Sequence, residues 1–251
     1  MRITVLGGSG LIGSKVSDQL ESRGHSVVRA SRSAGVDAQR GTGLESALAG
    51  ADVVVDALNT PSMSRGKATD FFTAAARNVA AAAHAAGVRR IVCLSIHGVE
   101  DPAVARGFGY YAAKAEQLAA YEAGSVPVTS VMCTQWFELV EVLAGRASLG
   151  PVTVLPTMTL APLAVDDAAR AVANVAEDPD AGPRVTVRGA EQCTALDVAR
   201  AIVAERGELA GHRPRILRQV PYLGRAIANG GLVPEVADVV VPGGVEDWLR
   251  R

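Results

Sequence analysis

The stretch Arg2-Ile3-Thr4-Val5-Leu6-Gly7-Gly8-Ser9-Gly10-Leu11-Ile12-Gly13 decides how this chain is read. Arg2 to Leu6 is a short β-branched, apolar run, the composition of a buried strand. Four of the next seven residues are glycine. From Ser14 to Arg23 the pattern turns helical, with Val16 and Leu20 four apart and Gly24 as the stop. His25 to Ala30 predicts a second strand. Strand, glycine turn and helix form the first half of a βαβ unit. The turn, Gly7 with Ser9, Gly10, Leu11, Ile12 and Gly13, presents backbone N–H groups beside the positive end of the helix dipole, which together attract a pyrophosphate. Two glycine registers are open: Gly8, Gly10 and Gly13, or Gly7, Gly10 and Gly13. The position between strand and helix is the context that makes such a motif a dinucleotide site.

Working outward, 251 residues with 49% hydrophobic content suffice for one packed core with a modest appendage. The net charge is −1 and the basic residues are dispersed, which gives no electrostatic support for nucleic acid or an anionic membrane surface as partner. Met1 leads straight into the first strand, so no signal peptide is expected. No apolar run approaches membrane-spanning length. Cys93, Cys133 and Cys193 are far apart and odd in number, and His25, His84, His97 and His212 have no ligand spacing. Free thiols in a reducing cytosol and no metal site are expected.

Strands alternate with helices over the first 135 residues. A short third strand is predicted around Gly35-Val36-Asp37, a brief helix over residues 44–49 and a fourth strand over 51–58. Residues 59–67 form a polar loop, and residues 68–86 an alanine-rich helix closed by Gly87. A fifth strand covers 90–95, a loop 97–109, a helix 110–123 and a sixth strand 126–134. A helix over 166–177, a strand over 184–188 and a helix opened by a Thr194-x-x-Asp197 box follow. Apolar strands separated by helices predict an α/β, Rossmann-like doubly wound parallel sheet. The chain reads as a single NAD(P)-binding domain, with its core over about residues 1–150 and cap elements for substrate over about 151–251.

Ligands of such sheets lie at the carboxyl ends of the strands, which selects the glycine turn, Ser31, Arg32, Asn59, Ser95 and the segment after Thr134. NAD-binding units carry an acid about twenty residues past the glycines, but here the second strand ends Arg29-Ala30-Ser31-Arg32. A hydroxyl and a guanidinium suit a 2′-phosphate, which favours NADP(H) over NAD(H). Tyr110 and Lys114 are one helical turn apart. An ammonium near the phenol is expected to lower its pKa from about 10 and make Tyr110 a proton donor to a carbonyl. Lys114 is also placed to hold a cofactor ribose and Ser95 to orient the carbonyl. Tyr111 is a second candidate for the acid.

These pieces together resemble the atypical, NmrA-like branch of the short-chain dehydrogenase/reductase superfamily. The resemblance runs through Gly7–Gly13, Ser31-Arg32, Asp37, Phe71-Phe72, Arg77-Asn78 and Gly87-Val88. It continues through Tyr110-x-x-x-Lys114, Gln135-Trp136-Phe137-Glu138, Val165-Asp166-Asp167-Ala168-Ala169 and Glu246-Asp247-Trp248-Leu249. It implies that Asp37 lies near the adenine and that Thr134 to Phe137 border the nicotinamide and the substrate, although Trp136 and Phe137 read equally as core aromatics. One segment departs from the superfamily: Asp56-Ala57-Leu58-Asn59 stands where its standard members carry Asn-Asn-Ala-Gly.

The reading is an NADPH-dependent, cytoplasmic oxidoreductase that reduces a small carbonyl, enone or quinone, as a monomer or homodimer. Tyr110, Lys114 and Ser95 are its catalytic candidates. The alternatives are an NADP(H)-binding redox sensor without turnover, an accessory subunit that keeps a nucleotide for stability, and an epimerase or isomerase with retained cofactor.

Overall fold

The computed structural model describes residues 1–62 and 64–251. In chain order the elements are β1 (Arg2–Leu6), α1 (Leu11–Ser22), β2 (Ser26–Ala30), α2 (Leu44–Leu48), β3 (Val53–Asp56), α3 (Arg65–Ala85), β4 (Arg90–Ile96), α4 (Pro102–Gly107), α5 (Gly109–Glu122) and β5 (Val128–Cys133). They continue with α6 (Phe137–Ala147), β6 (Ser148–Leu149), β7 (Val152–Pro156), β8 (Thr159–Leu160), α7 (Val165–Glu177), β9 (Arg184–Gly189), β10 (Cys193–Thr194), α8 (Ala195–Arg206), β11 (Ile216–Val220), α9 (Arg225–Ala228), β12 (Val239–Val241) and α10 (Val245–Leu249).

Seven strands form one sheet in the order β12-β9-β5-β4-β3-β1-β2. Every pairing in it is parallel. Alternation along each strand divides the core. Ile3, Val5, Val53, Val55, Val92, Leu94, Val131 and Cys133 pack with α1 and α7 on one face. Leu6, Val54, Ile91, Cys93 and Met132 pack with α3 and α5 on the other. Both faces are covered, which is why the strands read as continuous apolar runs. The last hundred residues add β9 and β12 to this sheet and form two smaller sheets, β11-β7-β6 and β10-β8.

The strand order reverses direction at β1, whose neighbours are β2 on one side and β3 on the other. Such a switch point opens a crevice at the carboxyl ends of the strands. The turn after β1, the end of β2 and the segment after β3 therefore converge by topology.

Three local expectations fail. The third strand around Gly35-Val36-Asp37 does not form. Gly35, Gly41 and Gly43 all take positive φ, and the segment folds on itself through a single bridge between Asp37 and Thr42. The Asn78 amide holds the carbonyls of Ala38 and Gln39 at 3.0 and 2.9 Å, tying this loop to α3. β2 is thus the edge of the sheet. The expected loop over 97–109 contains α4, because Asp101 accepts from Ala103 N at 2.7 Å and Pro102 follows at the first helical position. The long helix starts at Arg65 rather than residue 68. Met63 of the loop expected before it lies outside the described residues.

Candidate functional site

Gly7 makes the turn after β1, with φ +75°, a conformation that L side chains rarely adopt. A Cβ there would also stand 2.7 Å from the Ala57 carbonyl oxygen, so the turn lies directly against the segment after β3. Gly10 N–H closes the turn on Gly7 O at 2.8 Å. Gly13 packs α1 onto the turn so tightly that a Cβ would meet Gly7 O at 2.2 Å. Gly8 serves another purpose: its Cα faces Arg29 of β2. The glycines that shape this backbone cradle at the start of α1 are therefore Gly7, Gly10 and Gly13. Ser9, Gly10 and Leu11 are exposed. The first amides of α1 have no carbonyl one turn earlier to bond, which leaves them for a ligand.

Gly8 N donates to Ala30 O at 3.1 Å and brings the end of β2 beside the turn. There the two arginines part ways. Arg29 is engaged by Asp18 and Glu21, both at 2.6 Å, and these carboxylates raise its pKa further. Arg32 is exposed, and its guanidinium has no ion-pair or hydrogen-bond partner among the described residues. Ser31, one residue before it, shares a hydrogen bond with Ser33 at 2.9 Å. Asp37 is half-buried, and its carboxylate accepts from Arg40 N at 3.2 Å. The cradle, the open helix terminus and the free guanidinium together fit a dinucleotide phosphate chain.

Tyr110 lies in the first turn of α5, and its phenol donates to Asn59 Oδ1 at 2.9 Å. Asn59 in turn accepts from Thr60 N at 2.7 Å. The phenol thus sits three residues beyond β3, next to the segment the glycine turn touches. Phe72, fully buried, packs edge-on against Tyr110 with ring centroids 5.7 Å apart. Phe108 and Tyr111 complete the aromatic surround.

Lys114 shares this face of α5 but does not act on the phenol as expected. Its Nζ donates to Leu94 O at 2.8 Å and to Gln117 Oε1, and sits 4.8 Å from the Phe72 ring centre. The side chain is only 4% exposed, and burial lowers its pKa against the opposing pull of Cys93 and Asp56. Burial likewise raises the pKa of Tyr110, correcting the expectation of a depressed value. The physical reason is plain: an ammonium held by Leu94 and Gln117 cannot offset loss of solvent around the phenol. Tyr111 is more enclosed than Tyr110 and its pKa is also raised by burial.

Behind Lys114 lies a buried polar chain that the sequence reading missed. Gln117 Nε2 donates to Asp56 Oδ2 at 2.8 Å, and the Tyr121 hydroxyl donates to the same oxygen at 2.6 Å. Asp56 Oδ1 accepts from Leu58 N at 2.8 Å. Asp56, Gln117 and Tyr121 are each at most 1% exposed. Two signals were available: a lone acid closing the apolar run Val53-Val54-Val55, and polar residues at 114, 117 and 121 on one helical face.

The remaining candidates differ. Ser95, in β4, is 2% exposed, and its enclosed Oγ has no hydrogen-bond partner among the described residues. Thr134 is committed, its hydroxyl donating to Ala161 O at 2.6 Å and its N–H to Val187 O at 2.9 Å. Gln135 is buried with neither amide atom partnered. Phe137 is a core aromatic, stacked on Trp248 at 5.2 Å. Glu138 bonds Val165 N and the Trp248 indole, so three of the sequence pieces behind the family resemblance form one structural clamp. His97, half-buried and next to Arg184, has a lowered pKa, chiefly from burial.

No helix of the described residues is long and apolar enough to cross a membrane. No curated protein matches the sequence. The structure is similar to that of a nucleoside-diphosphate-sugar epimerase from Staphylococcus aureus, with 16% identity over 100% of each chain and a TM-score of 0.74. It is also similar to an NADPH-dependent quinone oxidoreductase from Escherichia coli, solved with NADPH, at 17% identity over 93% of this chain and 91% of that one, TM-score 0.68. A short-chain dehydrogenase/reductase superfamily protein from Agrobacterium tumefaciens with bound NAD gives 16% identity over 97% and 87%, TM-score 0.67. A family model described as NAD(P)H-binding matches residues 7–135, the segment that holds the cradle, Arg32, Asn59, Tyr110 and Lys114. On that match, which covers just over half of its length, the chain belongs to the NAD(P)H-binding family.

Proposed function

We propose that this protein is an NADPH-dependent reductase of a small carbonyl, enone or quinone, with Tyr110 as its proton donor. A bound nicotinamide would supply hydride; the chain's own residues bind, orient and protonate. The observation that carries the reading is the Tyr110 phenol, held on Asn59 at the carboxyl end of β3 beside the glycine cradle. A phenol whose pKa is raised by burial keeps its proton at neutral pH, which is the form that donates during reduction. Asn59 accepts from that phenol and so aligns it. Arg32, free of any described partner, supports NADPH over NADH through a 2′-phosphate contact.

The purified protein should consume NADPH with at least one member of a panel of aldehydes, ketones, enones and quinones. Tight NADPH binding with no turnover across that panel would overturn the reductase reading.

A second reading, an NADP(H)-binding sensor without turnover, is favoured by one observation. The Lys114 ammonium is directed to Leu94 and Gln117 and leaves the phenol without a neighbouring cation. The same panel decides between the two.

A further inference from the structure

Asp56 stands at the meeting point of the two segments that make the Tyr110–Asn59 contact. One oxygen, Oδ1, accepts from Leu58 N and shapes the turn that presents Asn59. The other, Oδ2, accepts from Gln117 and Tyr121, both on α5, the helix that carries Tyr110. Gln117 passes the connection on to Lys114, which is fastened to Leu94 of β4. Side chains 110, 114, 117 and 121 lie one above another on the same face of α5, so anchoring the lower three sets the rotation and height of the first. From this juxtaposition we infer that Asp56 is a positioning residue for the Tyr110 phenol. It acts from both sides of the Tyr110–Asn59 hydrogen bond without touching a ligand. The inference rests on the proposed role of Tyr110 for its catalytic consequence, but not for the geometry itself.

A carboxylate is needed because every group around Asp56 is a donor: Leu58 N–H, the Gln117 amide and the Tyr121 hydroxyl. An asparagine has one acceptor oxygen and cannot serve both sides. If its oxygen stays with Leu58, its NH2 meets the Gln117 NH2, and turning Gln117 over then presents an NH2 to the Lys114 ammonium. The conflict disappears if the carboxylate moves one place along the chain of contacts. In the double variant Asp56→Asn, Gln117→Glu, the new Glu accepts from Lys114 and from the asparagine NH2. The second N–H of that NH2 reaches the Tyr121 oxygen.

The test uses the intact protein labelled with [¹³Cζ]tyrosine, which gives four signals, for Tyr110, Tyr111, Tyr121 and Tyr222. Tyr110→Phe assigns the Tyr110 line, and Asn59→Ala sets the displacement that follows loss of its hydrogen bond. Asp56→Asn should move the Tyr110 line in the same direction by a comparable amount, and the double variant should return it. In an active enzyme, Asp56→Asn should lower kcat about tenfold or more with NADPH affinity retained, again with recovery in the double variant. A stationary Tyr110 line in folded Asp56→Asn, or a displaced line that the double variant fails to restore, overturns the inference. Should Asp56→Asn fail to fold, Tyr121→Phe removes one contact to the same oxygen. A smaller displacement of the Tyr110 line then supports the role, and no displacement overturns it. The spectral readout needs no substrate: displacement and rescue in a protein without turnover keep Asp56 in place and remove only the reductase reading. Turnover that depends on Tyr110, together with a line indifferent to Asp56, does the reverse.

Discussion

The Tyr110 phenol donates to Asn59 Oδ1 at 2.9 Å across 51 residues of chain, joining the first turn of α5 to the end of β3. As the proposed acid, Tyr110 contributes to the transition state and not to cofactor affinity. Tyr110→Phe should therefore cut turnover by roughly 10²–10⁴-fold, the range for a lost general acid, and leave the NADPH Kd unchanged. Tyr111→Phe should be mild. Stopped-flow rates and calorimetry on both variants check this, and equal losses in the two would move the acid to Tyr111.

Burial of the phenol sets how each direction of the proposed reaction should depend on pH. Reduction needs the protonated phenol, whose pKa lies above the ordinary value of 10, so its rate should be flat from about pH 6 to pH 9. Oxidation of the product alcohol needs the phenolate, whose share rises with pH below that pKa. It should climb about tenfold per pH unit over the same range. Initial rates in both directions test the sign; an oxidation rate already level at pH 7 would show that the phenol is far more acidic than its burial implies.

Two glycines of the cradle should fail differently. Gly10 has allowed backbone angles, φ −81° and ψ 171°, and its only close neighbour is Gly7 O at 3.1 Å. Gly10→Val should give a folded protein that no longer binds NADPH, because the side chain takes the space of the phosphates. Gly13→Ala should instead destabilise the fold, since its Cβ would collide with Gly7 O at 2.2 Å. Thermal unfolding and NADPH titration of each variant separate the outcomes.

Arg32, unlike Arg29, has no partner for its guanidinium among the described residues. If it holds a 2′-phosphate, NADPH should bind more tightly than NADH, and Arg32→Ala should erase most of that difference. A charge-assisted hydrogen bond contributes about 1.5–3 kcal/mol, so the loss should be about tenfold or more. Equal affinity of the unmodified protein for the two cofactors would count against the assignment.

Lys114 is a buried donor with two acceptors, Leu94 O and Gln117 Oε1. Lys114→Met takes the ammonium from both and leaves Gln117 Oε1 without its donor, at about 1–3 kcal/mol for a buried acceptor left unpaired. Urea unfolding should therefore show a clear loss of stability along with any effect on NADPH binding. Unchanged stability with weakened NADPH binding would indicate that the ammonium turns toward the cofactor.

The sequence alone determined what depends on neighbours a few residues apart. β1, the glycine turn and α1 follow from local composition. The Thr194–Asp197 capping box forms as its spacing dictates, and helix ends at Gly24 and Gly87 follow from their glycines. The parallel sheet followed from apolar strands alternating with helices, since only strands covered on both faces lose their polar alternation. Tertiary structure decided what depends on partners far along the chain. Asp56 meets Gln117 and Tyr121 across 61 and 65 residues, and no local pattern announces which buried donors will surround an acid. The four-residue spacing put Tyr110 and Lys114 on one face but could not give their environment. That environment, set by Phe72, Leu94 and Gln117, turned an expected acidic phenol into one that holds its proton. Arg29 and Arg32 are alike in sequence; only the position of α1, with Asp18 and Glu21 over β2, engages one guanidinium and leaves the other unpaired among the described residues.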